Sequence, residues 1–109
     1  MKASAKVERI LRAIDQGWPE PLRLNDLARA VKMHPQSLSR FCRRQLRRSF
    51  QEMLTEKRIG EAARRLLESE DGVAESAFAC GFNNLSNFNR LFRRAYGLSP
   101  TAYRRRAGA

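Results

Sequence analysis

Guanidinium groups are the chemistry this sequence repeats. Arg40, Arg43 and Arg44 recur as Arg90, Arg93 and Arg94 when the chain is shifted by 50. At 100° per residue, Phe88, Leu91, Phe92, Ala95 and Tyr96 fall on one arc of a helix. Ser86, Asn89, Arg90 and Arg93 lie on the other face. The earlier segment sets Gln36, Arg40, Arg43 and Arg47 opposite an arc of Leu38, Phe41, Cys42 and Leu46. A core helix needs the apolar arcs and has no use for the polar ones. The polar residues are of the types that read base edges: Arg forks onto guanine O6 and N7, Gln does the same to adenine, and Asn and Ser are more permissive. A helix about 10–12 Å across fits the major groove. Arginines one or two turns further along it would reach flanking phosphates.

No other chemistry is offered. The one histidine, His34, stands at a helix start where capping explains it. No Cys/His/Asp set has the spacing of a metal site or an activated nucleophile. Gly81 and Gly97 read as turn residues with no phosphate-loop pattern around them. The chain is therefore expected not to be an enzyme and to need no metal and no cofactor. Cys42 and Cys80 fall within apolar helical patterns and are expected to be reduced core residues, since nothing points to an oxidising compartment.

Charge supports the same reading. Lys and Arg number 22 against 11 acidic residues, a formal net charge of +11 on 109 residues. Such a body repels itself unless a polyanion neutralises it. The excess of Arg over Lys favours phosphates and guanine edges. A membrane-surface module would need one helix both strongly basic and broadly apolar, whereas these apolar faces serve a mutual core. A non-specific or RNA-binding basic module is the alternative, but the basic faces lack the stacking aromatics that single strands want. Glu8, Arg9 and Arg12 interrupt any leader-like apolar run. No stretch approaches the roughly 18 apolar residues of a membrane span. The expectation is a soluble, intracellular protein.

The elements that must position these faces read as all-α, about seven helices. Val7, Ile10, Leu11 and Ile14 form a stripe ending near Gly17, and Trp18 is a core anchor before a Pro-rich connector. A short helix spans 24 to 32, and Pro35 opens the next, to about 46. Ser49 and Glu52 form a capping box for a long helix whose roughly 18 residues span about 27 Å. Its apolar side includes Leu54, Ile59, Leu66 and Leu67. Glu75 caps a short helix from Val73, another runs from about 84 to 95, and Ser99-Pro100 starts the last. That one carries Tyr103 inward and Arg104 to Arg106 outward. Residues 27–50 and 76–100 then match as short helix, turn and basic-faced helix, with one extra residue in the second turn. This is a helix-turn-helix occurring twice. The predicted organisation is a first subdomain at 1–49, a linker helix at 50–68 and a second subdomain at 69–109.

At this point the chain resembles the paired helix-turn-helix DNA-binding domain of the AraC/XylS family of bacterial transcription regulators. The segment AESAFACGFNNLSNFNRLFRRAYGLSPTAYRR resembles the family's second-motif signature; LARAVKMHPQSLSRFCRR and EAARRLL resemble its upstream elements. The resemblance implies a seven-helix domain binding double-stranded DNA as one unit, with two recognition helices in successive major grooves. It implies a monomer suffices, RNA polymerase as a candidate partner, activation as the expected sense and a cytoplasmic, nucleoid-associated location. It places base reading on Gln36, Ser39 and Arg40, and on Leu85, Ser86, Asn89 and Arg90. Arg43, Arg44, Arg47, Arg93 and Arg94 are the phosphate contacts. Three positions depart from the pattern. Leu85 stands where a polar reader is common, Arg47 where a glycine often ends the first recognition helix, and Ser76 where an aliphatic residue is usual. The sequence fits equally a short regulator and the C-terminal part of a longer one.

Overall fold

A computed structural model describes residues 2–108, with side chains from Ala5 onward. Among these residues every regular element is helical: α1 (Lys2–Gly17), α2 (Leu24–Ala30), α3 (Pro35–Phe41), α4 (Phe50–Glu68), α5 (Val73–Ala79), α6 (Leu85–Tyr96) and α7 (Pro100–Gly108). A π-helical turn, Cys42–Leu46, continues α3.

Side chains fix most of the starts by satisfying amides that have no partner in the first turn. Asp26 accepts from the Arg23 N–H at 2.9 Å ahead of α2. His34 Nδ1 accepts from the Gln36 N–H at 3.2 Å, with Pro35 at the first position of α3. Ser49 and Glu52 cap α4 reciprocally, at 2.8 and 3.1 Å. Glu75 accepts from the Gly72 N–H at 3.1 Å, Asn84 Oδ1 from the Asn87 N–H at 2.8 Å, and Ser99 Oγ from the Ala102 N–H at 3.1 Å.

The chain forms two compact units, Met1–Lys57 and Arg58–Ala109. Their boundary falls inside α4, because the two parts of that helix carry apolar residues to different cores. In the first unit Ile10 and Ile14 of α1, Leu27, Ala28, Val31, Leu38 and Cys42 close over Phe50, Met53 and Leu54, with Trp18 packed against them. In the second, Phe88 and Phe92 are fully buried, as are Ala62 and Leu66 to within a percent. The rings form a run: Phe82 to Phe88 at 5.0 Å, Phe88 to Phe92 at 5.7 Å, and Phe92 to Tyr103 at 5.3 Å, which places Tyr103 inward as expected. No described helix is long and apolar enough to cross a membrane.

Three apolar expectations fail and a fourth holds in part. Leu11 and Leu67 are 50% and 49% exposed. Each follows directly on a buried residue, Ile10 or Leu66, so it stands about 100° round the helix, at the edge of the apolar stripe. Ala95 is exposed. Tyr96 is 39% exposed, but its ring packs on Phe92 at 4.8 Å and Tyr103 at 5.0 Å, so it closes the edge of this core. The first recognition helix also differs from the uninterrupted helix expected to residue 46. It leaves α-geometry at Cys42, and the wider winding turns Leu46 from the edge of the arc back against the core.

Candidate nucleic-acid interface

Each candidate reading helix is held from behind by its own core. On α3, Leu38 and then Cys42 are fully buried, and this anchoring sends Gln36, Arg40, Arg43, Arg44 and Arg47 into solvent. On α6, Phe88 and Phe92 do the same for Ser86, Asn89, Arg90, Arg93 and Arg94. Ser39 and Leu85 are half-buried. The outward residues of each motif thus share one exposed helix face, and two of the named readers sit at its edge.

The turns ahead of the two helices are built alike. The Met33 N–H reaches Ala28 O at 2.9 Å, and the Phe82 N–H reaches Ala77 O at 3.0 Å. Both chains reverse through a left-handed residue, Lys32 (φ 57°) and Gly81 (φ 98°). Both recognition helices end on another, Arg47 (φ 60°) and Gly97 (φ 76°). The second copy fills both positions with glycine. The first uses Lys and Arg, at a steric cost of about 1–2 kcal/mol each. At Gly81 a Cβ would in addition meet the Arg58 guanidinium at 3.1 Å, a contact that this side-chain end would have to shift to relieve. The departure noted at Arg47 is therefore a strained helix end, not a continued helix.

Four scaffold arginines meet carboxylates: Arg29 with Asp26, Arg64 with Glu61 at 2.8 Å, Arg65 with Asp71 at 3.0 Å, and Arg48 with Glu56. Arg9, Arg12, Arg23, Arg105 and Arg106 form no salt bridge among the described residues. Among the described residues, none of Arg40, Arg43, Arg44, Arg47, Arg90, Arg93 and Arg94 forms a salt bridge. Their charge is left for a partner. The acids that titrate abnormally lie elsewhere. The Lys57 ammonium, 2.6 Å from Asp15, holds that carboxyl below its usual range. The Ser49 N–H does the same for Glu52, with Arg43 and Arg48 adding smaller effects. Burial pushes the Cys42 thiol up; at Cys80 it outweighs the opposing Arg65 charge. Both cysteines are free and buried. Among the described residues no His, Cys, Asp and Glu group is placed to hold a metal ion.

Two arginines have partners that their positions in the sequence do not reveal. Arg104 was expected outward. Instead its Nε donates to Leu66 O at 2.9 Å and its Nη2 to Ser69 O at 3.3 Å and Asp71 O at 2.5 Å. It ties off the end of α4 and the following turn and is half-buried, whereas Arg105 and Arg106 are exposed. Arg90 stands outward as expected, but its Nη2 donates to Asn87 Oδ1 at 2.6 Å. Asn87 was not singled out; an amide three residues before an arginine on a helix was the available signal. Ser76, aligned with Leu27 of the first motif by a shift of 49, is fully buried and its hydroxyl has no hydrogen-bond partner.

A family model described as a helix-turn-helix domain matches residues 27–106. The chain is 29% identical over 101 residues to the HTH-type transcriptional activator RhaS of Pectobacterium carotovorum, covering 93% of this chain and 36% of that protein. It spans about a third of the length of the curated relatives it matches. Its fold matches that of a probable AraC family transcriptional regulator from Rhodopseudomonas palustris, with TM-score 0.88 and 23% identity over 94% of this chain and 97% of that one. It also matches the DNA-binding domain of the global transcriptional factor AdpA, solved in complex with a target DNA. There the TM-score is 0.76 and the identity 29%, over 91% of this chain and 88% of that one.

Proposed function

Because this chain belongs to the AraC/XylS family of helix-turn-helix transcription regulators, we propose that it is a sequence-specific regulator setting α3 and α6 into successive major grooves of duplex DNA. The observation that carries this is the pair of exposed arginine faces, one on each of two helices built and anchored alike. On a chain of formal charge +11, none of their arginines forms a salt bridge among the described residues. Unpaired, exposed guanidinium groups are what phosphate neutralisation with counterion release requires. A neighbouring row of Gln36 and Arg40, or of Ser86, Asn89 and Arg90, supplies groups that discriminate between bases.

In this reading Gln36, Ser39, Arg40, Leu85, Ser86, Asn89 and Arg90 read bases. Leu85, apolar and half-buried, suits a thymine methyl. Arg43, Arg44, Arg47, Arg93 and Arg94 hold phosphates. The family is one of transcription regulators and not of enzymes. One copy engages both half-sites, the helix-turn-helix units at 1–49 and 69–109 acting together through the helix at 50–68. The sense is activation, through contact with RNA polymerase, in the cytoplasm on the nucleoid. RhaS bears the name of an activator and AdpA was solved on DNA, which supports the reading.

Selection of bound duplexes from a random pool tests it. The expected result is an enriched site with two half-sites at one separation, near 10 base pairs, about one DNA turn. Inserting about five base pairs turns the second groove to the opposite side, and affinity should fall toward that of one motif. Enrichment of no sequence would reject specific recognition. Equal affinity across inserts of zero to five base pairs would reject simultaneous binding by the two motifs.

A further inference from the structure

The two motifs are matched in backbone and unequal in how they hold their candidate reading arginine. In the second, Arg90 Nη2 donates to Asn87 Oδ1 at 2.6 Å. Asn87 lies in the capped first turn of α6, its backbone N–H donating to Asn84 Oδ1 at 2.8 Å. Its side-chain amide is therefore carried on ordered backbone, one turn ahead of the guanidinium it meets. In the first motif the residue aligned with Asn87 is Ser37, whose hydroxyl is shorter by one bond and an amide group. Arg40 has no hydrogen bond to a side chain among the described residues.

We propose that Asn87 is a specificity-determining positioning residue that holds the Arg90 guanidinium in the orientation in which it reads its base. The proposal rests on α6 being a DNA-reading helix. Donor arithmetic permits it: a guanidinium carries five N–H groups, and Asn87 engages one. A guanine needs two more, at O6 and N7. A long arginine side chain in solvent samples many rotamers, and fixing it on binding costs free energy. Asn87 removes part of that freedom before DNA arrives. Arg40 has no such restraint and must be ordered by the DNA itself. The second motif is thus the preset reader and the first the adaptable one.

The test is a double-mutant cycle on the selected site, with Asn87→Ala, Arg90→Ala and both together. Each is also measured on a duplex changed at the base pair that Arg90 reads and on random duplex. Asn87 is exposed and alanine is the better helix former, so the fold should survive; circular dichroism checks it. Asn87→Ala should weaken the selected site about threefold to tenfold, the cost of ordering one long side chain on binding. It should leave random duplex and the salt slope nearly unchanged, and should have no further effect once Arg90 is alanine. An equal loss in the Arg90→Ala background would mean that Asn87 touches DNA by itself, and would overturn the positioning role. A silent Asn87→Ala on a site the parent protein does enrich would overturn it too. A parent protein that enriches no sequence would overturn the DNA-reading assignment beneath it, and the proposal with it.

Discussion

Replacing Arg47 by glycine should make the protein more stable and a poorer DNA binder at once. Arg47 sits at φ 60° and ψ 24°, in the left-handed region, at the end of the π-helical turn. A non-glycine residue there costs about 1–2 kcal/mol. Glycine removes that cost but restores about 0.5–1 kcal/mol of freedom to the unfolded chain. The net gain is about 0.5–1 kcal/mol, or a rise in Tm of about 2–8 °C for a domain of this size. Arg47 is exposed and forms no salt bridge, so little stabilising contact is lost. If it neutralises one phosphate, its loss removes about 0.9 from the slope of log K against log salt, and about fivefold in affinity at about 0.15 M salt. Gly97→Ala is the control. It stands at φ 76° with no atom within 4 Å of an added Cβ, so its cost is conformational alone, about 1 kcal/mol, and DNA affinity per folded molecule should not change. Thermal melts followed by circular dichroism and a salt titration of binding give both readings. A lower Tm for Arg47→Gly would refute the strain argument, and an unchanged salt slope would refute the phosphate contact.

Alanine at Arg40 or Arg90 should cost roughly 1–3 kcal/mol on the selected site and less on random duplex, whereas alanine at Arg43 or Arg93 should weaken both about equally. Equal losses on both duplexes for all four would show that the roles are misassigned. Ser76→Ala removes a buried hydroxyl with no partner, so denaturant titration should show a gain of about 1 kcal/mol, and a loss would mean the hydroxyl is satisfied after all. Arg104→Ala strips three backbone carbonyls of their donor and should destabilise by about 1–3 kcal/mol; Arg105→Ala, exposed, should be near neutral in the same melt. Acid should weaken the start of α4. The Ser49 N–H holds Glu52 below the usual carboxylate value, so its stabilisation is present above the unfolded-state pKa and lost as pH falls through the folded one. Glu52→Gln should flatten stability against pH in that window, and an unchanged profile would show that the cap does not titrate with folding.

Local chemistry alone determined much of this protein. Apolar spacing marked most of the helices, cap and proline signals supplied the two at Val73 and Pro100, and the caps at Ser49, Glu75 and Ser99 and the proline at Pro35 set where helices begin, because capping is decided within four residues of chain. The repeated arginines named both candidate reading faces for the same reason: a helix's faces follow from its period. What lay beyond one helix's own geometry was left to tertiary packing. Angle alone could not say that Leu11 and Leu67 fall just outside their cores, since the stripe's edge is set by what covers it. The run Arg104 to Arg106 looks uniform in sequence, and only the approach of the chain end of α4, with Leu66 O and the turn carbonyls, turns one arginine inward. The π-helical winding at Cys42–Leu46 likewise depends on a core that Leu46 can reach. Asn87 and Arg90 are three residues apart, so the helix period puts them within reach, but which side-chain torsions join them was left to the folded helix.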